Sequence, residues 1–276
     1  MTYKRKEVIG NATLYLGDCL EVLDGLRDGC QNGDVSVEQG RGAGNDLKTR
    51  NFLADVTITS PPFNTLNPSA KPSGLHAERK MGKNEWMDKQ IGYFDQRPEP
   101  EYQAWQQDVL ETCLRVSPLV WINHKTRYRD GAGIHPLAFY KAPLFAEVVW
   151  DRGGSMALNC GRYAPSHEYL LGFGKPIYWD DTLNVKMSVW RMAPGLEKDA
   201  SVDHPCPYPP KLVEPLIQSS CPQDGTVLDP FMGSGSTGIA CHRLGRKFLG
   251  IEKEPRFFEM ACERIANAQR QERLFA

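Results

Sequence analysis

Thr226-Val227-Leu228-Asp229-Pro230-Phe231-Met232-Gly233-Ser234-Gly235-Ser236-Thr237 is the stretch from which the fold is read. A short β-branched run ends in an acid and a proline, and two glycines precede a helical pattern that continues to about Leu244. Glycines at a strand-to-helix turn let backbone approach a ligand at the carboxyl end of a strand. A second strand, Lys247-Phe248-Leu249-Gly250-Ile251-Glu252, follows. Its terminal acid lies about 20 residues past the glycines, a spacing that suits a ribose hydroxyl pair. No Gly-Lys-Ser/Thr follows, so the turn is not a P-loop, and it lacks the GxGxxG spacing of dinucleotide sites.

Upstream, strands and helices alternate. Thr13–Leu16 reads as a strand leading through Gly17-Asp18 into a helix from Cys19. Residues 27–51 are rich in Gly, Asn and Asp without periodicity and read as an exposed insertion. Glu99–Arg115 has helical spacing behind Pro98 and Pro100. Strands are expected at 119–122, 145–150 and 169–173, helices after His135-Pro136, over Pro210–Gln218, and at the C-terminus around Phe257, Met260 and Ile265. This alternation predicts an α/β chain with a mostly parallel central sheet covered by helices on both faces. One domain over residues 1–276, with insertions, is expected.

Composition excludes several classes. The 276 residues are 41% hydrophobic and 24% charged, with formal net charge −1, so no global basic field is present. The eight cysteines form no CxxC pair and no zinc-spaced Cys/His cluster, which predicts a reduced chain without metal. Cys113, Cys241 and Cys262 lie in amphipathic patterns as small core residues, whereas Cys160 and Cys206 sit in Gly- or Pro-rich segments. No apolar stretch approaches the ~18 residues of a membrane span, and the polar start Met1–Lys6 reads as neither signal nor anchor. A cytoplasmic protein is expected.

Asp55-Val56-Thr57-Ile58-Thr59 reads as a buried strand ending in Ser60-Pro61-Pro62-Phe63. Each proline fixes φ and lacks an N–H, and each restricts the residue before it. The corner is therefore expected to present free, rigidly aimed carbonyls beside an aromatic ring. Such a corner suits a planar, amino-bearing base. By itself a Pro-Pro after a strand is more commonly a strand stop.

Here the chain resembles a family. Ser60–Phe63 is similar to the (Asp/Asn/Ser)-Pro-Pro-(Tyr/Phe) motif of amino-group DNA methyltransferases, and Asp229–Gly235 resembles their S-adenosylmethionine motif. His204-Pro205-Cys206-Pro207-Tyr208-Pro209 and Gly17-Asp18-Cys19-Leu20 are similar to two further segments of these enzymes. The catalytic motif precedes the cofactor motif, an order that resembles the β class. The resemblance covers about Leu14 to Ile265 and implies a Rossmann-like methyltransferase fold.

It also implies roles. Ser60 and the Pro61 carbonyl would accept hydrogens from the exocyclic amine of a flipped base, within a catalytic segment Ser60, Pro61, Pro62 and Phe63, and Phe63 would stack on the base. Asp229, Pro230, Phe231, Gly233, Ser234, Gly235 and Glu252 would line the S-adenosyl-L-methionine site, with Asp18, His204 and Lys211 as further candidates. Asp18 is equally a helix N-cap, and Lys211 equally a solvated helix residue. Asn64 would shape the pocket or make the turn.

Double-stranded DNA is the implied partner, met by the 65–98 loop through Arg79, Lys80 and Lys83, which are interleaved with aromatic residues; a solvated loop is the plainer reading. Residues 174–203 are the expected target-recognition segment, and a homodimer is implied by the β class. Serine in the first motif position leans toward cytosine N4, where a neutral acceptor is tolerated. The motif order, Asn64 and Asn123-His124-Lys125 lean toward adenine N6, which is the favoured expectation. A catalytically inactive DNA-binding module is the rival of another class, against which the intact motifs argue. His124, His135 and His167 are expected to be structural.

Overall fold

The computed structural model describes residues 2–31, 52–64, 97–154, 161, 163–183, 187–194 and 208–275. Strands β1 (Arg5–Ile9) and β2 (Ala12–Leu16) form a hairpin. Its turn is Gly10-Asn11, with Gly10 at φ 55°, where glycine suits a tight hairpin. Helix α1 (Cys19–Gln31) follows. The expected insertion therefore starts later than 27. Gly25 sits inside the helix because a Cβ there would collide with the Thr2 side chain, so its lack of one lets Thr2 pack against the helix.

Strand β3 (Val56–Thr59) precedes helix α2 (Glu99–Val116), then β4 (Leu119–His124). A small hairpin, β5 (Arg127–Arg129) and β6 (Ala132–Ile134), comes next. The expected helix after His135 is only a 3-10 turn, Pro136–Ala138, capped by the His135 side chain accepting from the Leu137 N–H. Strands β7 (Leu144–Asp151), β8 (His167–Gly174) and β9 (Val189–Arg191) complete the middle of the chain. Helix α3 (Pro210–Ser220), β10 (Thr226–Asp229), α4 (Ser236–Arg243), β11 (Lys247–Glu252) and α5 (Pro255–Phe275) close it.

Nine strands form one sheet in the order β1-β2-β11-β10-β3-β4-β8-β7-β9. The block β2-β11-β10-β3-β4 is parallel throughout, as is the edge pair β7-β9, so the mostly parallel expectation holds. Antiparallel pairs flank that block at β1-β2, β4-β8 and β8-β7. Of the expected segment 174–203, the described part supplies β9, a strand that periodicity did not announce.

Alternation along the strands sorts the core into two layers. Leu14, Leu16, Val56, Ile58, Trp121 and Val227 pack with α3, α4 and α5 through Leu212, Leu216, Ile239, Ala240, Phe258 and Ile265. Tyr15, Val120, Ile122, Leu228 and Ile251 face α1 and α2 through Val22, Leu23, Val109, Leu110 and Cys113. Helices thus cover both faces. Cys113 and Cys241 are buried and Cys262 is half-buried, while Cys160 and Cys206 lie outside the described residues.

This topology gathers the chemistry. The carboxyl ends of four adjacent parallel strands are Glu252, Asp229, Thr59 and His124, in that spatial order β11-β10-β3-β4. In a parallel α/β sheet, the crevice outside these ends is where ligands bind.

Candidate active site

Ser60 leaves β3 and donates its hydroxyl to Asn123 Oδ1 at 3.1 Å. The register makes this contact: Thr59 is paired with Ile122, so the next residues of both strands lie side by side. Asn123 in turn donates to the Tyr169 carbonyl at 3.2 Å.

The corner's carbonyls are not all free. That of Pro62 accepts from the Tyr102 hydroxyl at 2.8 Å and from Gln106 Nε2 at 3.0 Å. Two consecutive prolines bring no N–H of their own, so the loop is fastened through an acceptor instead. Among the described residues, no group donates to the Pro61 carbonyl.

Phe63 is 9% exposed, its ring centroid 5.1 Å from that of His124 and its ring 5.0 Å from the Lys125 ammonium nitrogen. Asn64 stands at φ 54°, a left-handed turn position that asparagine tolerates. Its amide bridges the backbone of Arg97, donating to the carbonyl at 2.9 Å and accepting from the N–H at 2.8 Å. Arg129 donates to the Asn64 carbonyl.

Beneath the corner, His124 is buried, with Nε2 2.7 Å from the Tyr102 hydroxyl and Nδ1 2.8 Å from the Lys125 N–H. Burial pushes its pKa down to about 3, so the ring is neutral, in keeping with a structural role. His135 packs edge-on to Tyr169, and His167 Nε2 lies 3.0 Å from the hydroxyl of the same tyrosine.

The glycine turn sits on the neighbouring strand. Asp229 is fully buried, and four donors meet its carboxylate. Oδ1 takes the Thr59 hydroxyl at 2.7 Å and the Phe231 N–H at 3.1 Å. Oδ2 takes the Thr237 hydroxyl at 2.6 Å and the Tyr208 hydroxyl at 3.3 Å. Burial raises its pKa against these bonds. Asp229 is thus saturated from within the protein and ties β3, the turn and α4 together.

Gly233 and Gly235 take φ of 50° and 81°. A Cβ on Gly235 would lie 3.1 Å from that of Ala261, so α5 leaves no room for a side chain there. Ser234 is held by Arg264, which donates to its carbonyl and to its hydroxyl. Pro230 is buried and Phe231 partly exposed, with Trp105 edge-on at 5.6 Å. Trp105 and Arg97, whose guanidinium lies 4.6 Å over the indole, are site neighbours that the sequence did not single out.

Glu252 accepts from the Gly233 N–H at 3.0 Å on Oε2, and from Lys253 and Glu254 N–H at 2.9 and 2.8 Å on Oε1. Burial pushes it up to about 7, against the pull of these three N–H groups. A carboxylate offers about four acceptor sites, so roughly one remains. Asp18 caps α1 by accepting from the Leu20 N–H at 3.1 Å, and its other oxygen meets Lys253 Nζ at 3.0 Å. The N-cap reading is therefore realised, beside Glu252, whose carbonyl accepts from Gly17. Lys211 is exposed on the first turn of α3. His204, Arg79, Lys80 and Lys83 lie outside the described residues. Among the described residues, no three His, Cys, Asp or Glu side chains gather as metal ligands.

The chain matches the N6/N4 DNA methylase family over residues 54–263, which takes in both the proline corner and the glycine turn. It belongs to that family.

Among curated members, the type II methyltransferase M.XycI of Xanthomonas campestris pv. cyanopsidis is 31% identical over 135 residues, 44% of this chain and 44% of that protein. M.HinfI of Haemophilus influenzae is 27% identical over 79% of this chain and 65% of its own length. M2.DpnII of Streptococcus pneumoniae is 27% identical over 76% and 82% respectively. The chain thus spans under two thirds of the length of the first two. Two solved structures share the fold. The cytosine-N4-specific PvuII DNA methyltransferase has a TM-score of 0.63 at 17% identity, covering 96% of this chain and 94% of that one. The complex of M1.HpyAVI with S-adenosylmethionine has 0.55 at 22%, covering 92% and 98%. These likenesses agree with the Rossmann-like methyltransferase fold expected from the motifs.

Proposed function

We propose that this family member is a DNA methyltransferase that methylates the exocyclic amine of a base flipped from double-stranded DNA, with S-adenosylmethionine as donor. The observation that carries the reading is the Thr59–Asp229 bond, which binds the proline corner and the glycine turn into one crevice.

The residues present fit this cofactor. The left-handed glycines allow close backbone approach, Glu252 keeps an acceptor for a ribose hydroxyl, and Phe231 offers a partly exposed ring. Pro230 and Ser234 shape the turn, and Asp18, His204 and Lys211 remain candidates for the cofactor's rim. S-adenosylmethionine supplies, when bound, a methyl group on a cationic sulfur. The chain supplies orientation. Ser60 Oγ and the Pro61 carbonyl would accept the two amine hydrogens, which would draw the nitrogen toward sp³ character and direct its lone pair at the methyl group. The new N–C bond would replace the methyl–sulfur bond, the sulfur leaving as a neutral thioether and one amine proton departing to solvent. Phe63 stacks on the base.

Of the two bases, cytosine N4 is the better fit. Adenine N6 was expected partly from Asn64 and Asn123-His124-Lys125. Both ends of the Asn64 amide are engaged by Arg97, and His124 is engaged by Tyr102 and Lys125. Of the site residues weighed for the base, Ser60, a neutral acceptor, is the one that still discriminates. The motif order still favours adenine as the second reading.

One domain spans residues 1–276 in this proposal. The 65–98 segment meets phosphates through Arg79, Lys80 and Lys83, residues 174–203 read the target, and the enzyme works as a cytoplasmic homodimer. Mass spectrometry of nucleosides from DNA incubated with the enzyme and deuteriomethyl-labelled cofactor tests the function. Labelled N4-methylcytosine is expected. Labelled N6-methyladenine would overturn the choice of base, and no label in either would overturn the function. A monomer mass by light scattering with DNA would remove the dimer.

A further inference from the structure

Pro62 has a carbonyl with two donors, and both come from one face of α2, one turn apart. The donors belong to a buried network whose hydrogens can be counted. The Lys125 N–H donates to His124 Nδ1, so the proton of the neutral ring sits on Nε2 and donates to the Tyr102 oxygen. Gln106 Nε2 donates to that oxygen at 2.7 Å and to the Pro62 carbonyl. The Tyr102 hydroxyl hydrogen is then directed to the Pro62 carbonyl, 2.8 Å away. Gln106 Oε1 accepts from the Tyr140 hydroxyl at 2.5 Å. The other tautomer, with Nδ1–H directed at the Lys125 carbonyl, would make His124 Nε2 an acceptor and take the Tyr102 hydrogen away from Pro62.

Tyr102, Gln106 and His124 are almost wholly buried. The Arg127 guanidinium lies 4.2 Å over the Tyr102 ring and is held by both Glu99 oxygens at 2.6 and 2.7 Å. The side-chain polar atoms of Tyr102, Gln106 and His124 are all engaged, although Arg127 Nε has no partner among the described residues. Buried groups satisfied in this way are held rigidly, and losing a partner is costly. The His124 pKa of about 3 keeps the ring neutral at any working pH, and burial pushes the Tyr140 hydroxyl up, so both remain in the required protonation state.

We infer that Tyr102 and Gln106 are positioning residues of the methyl-transfer site: they pin the Pro62 carbonyl and so aim the Pro61 carbonyl and Ser60 hydroxyl at the base. Prolines favour a threefold extended helix, in which successive carbonyls turn by about a third of a circle. Fixing one carbonyl therefore fixes the direction of the one before it. Such a device is needed because the corner has no N–H at Pro61 or Pro62 by which the backbone could hold itself. The inference rests on the proposed reaction, but it concerns what sets the acceptor geometry, not which acceptors act.

Two variants of the full chain test it, Tyr102→Phe and Gln106→Glu, each read by single-turnover methylation, calorimetric cofactor Kd and Tm. For Tyr102→Phe the rate constant is expected to fall about 10- to 100-fold, with cofactor Kd and DNA KM within about twofold of wild type. Gln106→Glu carries the sharper readout. Ionised, the new carboxylate attracts the Tyr102 hydrogen and withdraws both donors from Pro62; protonated, it can donate again. The groups facing it are the Tyr102 and Tyr140 hydroxyls, neutral His124 and the mutually paired Arg127 and Glu99.

Relative to wild type at each pH, Gln106→Glu activity should recover about tenfold or more between pH 8 and pH 6. Wild-type rates in both variants, or a Gln106→Glu defect that does not recover at low pH, would overturn the positioning role. Should Tyr102→Phe not fold, the Gln106→Glu profile decides alone. A wild-type chain that methylates no DNA would instead overturn the proposed function.

Discussion

Ser60 gives its hydroxyl hydrogen to Asn123, so the lone pairs of its oxygen are what it can offer a substrate. A hydroxyl has one hydrogen and two acceptor sites, and the bond to Asn123 decides which of these faces the crevice. Asn123→Ala would free the hydrogen to turn toward the amine, where a donor opposes a donor. The expected outcome is a loss of about tenfold in kcat, equivalent to about 1.4 kcal/mol, with cofactor affinity unchanged. Asn123→Asp keeps the acceptor and should stay within about threefold of wild type. An alanine variant with the wild-type rate would show that Ser60 is not oriented this way.

Phe63 is wedged beside His124 and under the Lys125 ammonium. Removing the ring removes the proposed stacking platform, a loss of about 1–3 kcal/mol for base–aromatic contact. Phe63→Ala should therefore lower single-turnover methylation by about 10- to 100-fold. Calorimetry should find cofactor Kd within about twofold of wild type. Loss of cofactor binding would place this ring in the wrong half of the crevice.

The parts that were legible in the sequence are those whose chemistry is local. Pro61-Pro62 stops a strand wherever it occurs, and Gly233 and Gly235 permit left-handed backbone at a strand end. Of the two readings open for Asp18, cofactor rim or N-cap, the N-cap is realised and is legible because its partner is two residues away. The corner's carbonyls were misjudged because the donors to Pro62 lie 40 and 44 residues downstream on a helix whose pattern speaks only of burial. The Asp229–Thr59 bond spans 170 residues and exists only once β10 and β3 are neighbours. One signal was present and unread: Asp130-Gly131, both left-handed at φ 49° and 81°, marks the hairpin that carries Arg127 and Arg129 to the site.

Asp229 is the joint on which the crevice depends. Replacing it by alanine strands the Thr59 and Thr237 hydroxyls and the Phe231 N–H in a buried place. Unsatisfied buried groups cost about 1–3 kcal/mol each, although hydroxyls can turn toward other partners. Asp229→Ala is expected to destabilise the fold by about 3 kcal/mol, a fall of about 5 °C in Tm for a chain of this size. Thr237→Val removes one donor and should cost about 1 kcal/mol. Equal, small effects of both variants in thermal unfolding would show that the carboxylate does not organise the turn.

Glu252 links pH to both stability and ligand binding. Its carboxyl is pushed from the ordinary 4.5 up to about 7 by burial. Between these values the unfolded chain has released the proton while the folded chain retains it. This group's contribution to stability is therefore present below about pH 4.5 and declines as pH rises to 7. Cofactor binding should run the other way. A ribose hydroxyl donates to the ionised carboxylate, so affinity should rise about tenfold from pH 6 to pH 8 as the ionised fraction grows from about one tenth to nine tenths. By linkage, cofactor binding also draws the proton off Glu252, and calorimetry in buffers of different ionisation enthalpy should register its release near pH 6.5. Glu252→Gln has no such proton and should bind with a flat pH profile. A flat profile for the wild-type chain would mean that the ribose does not use this carboxylate, and that Glu252 serves only to hold the N–H groups of Gly233, Lys253 and Glu254.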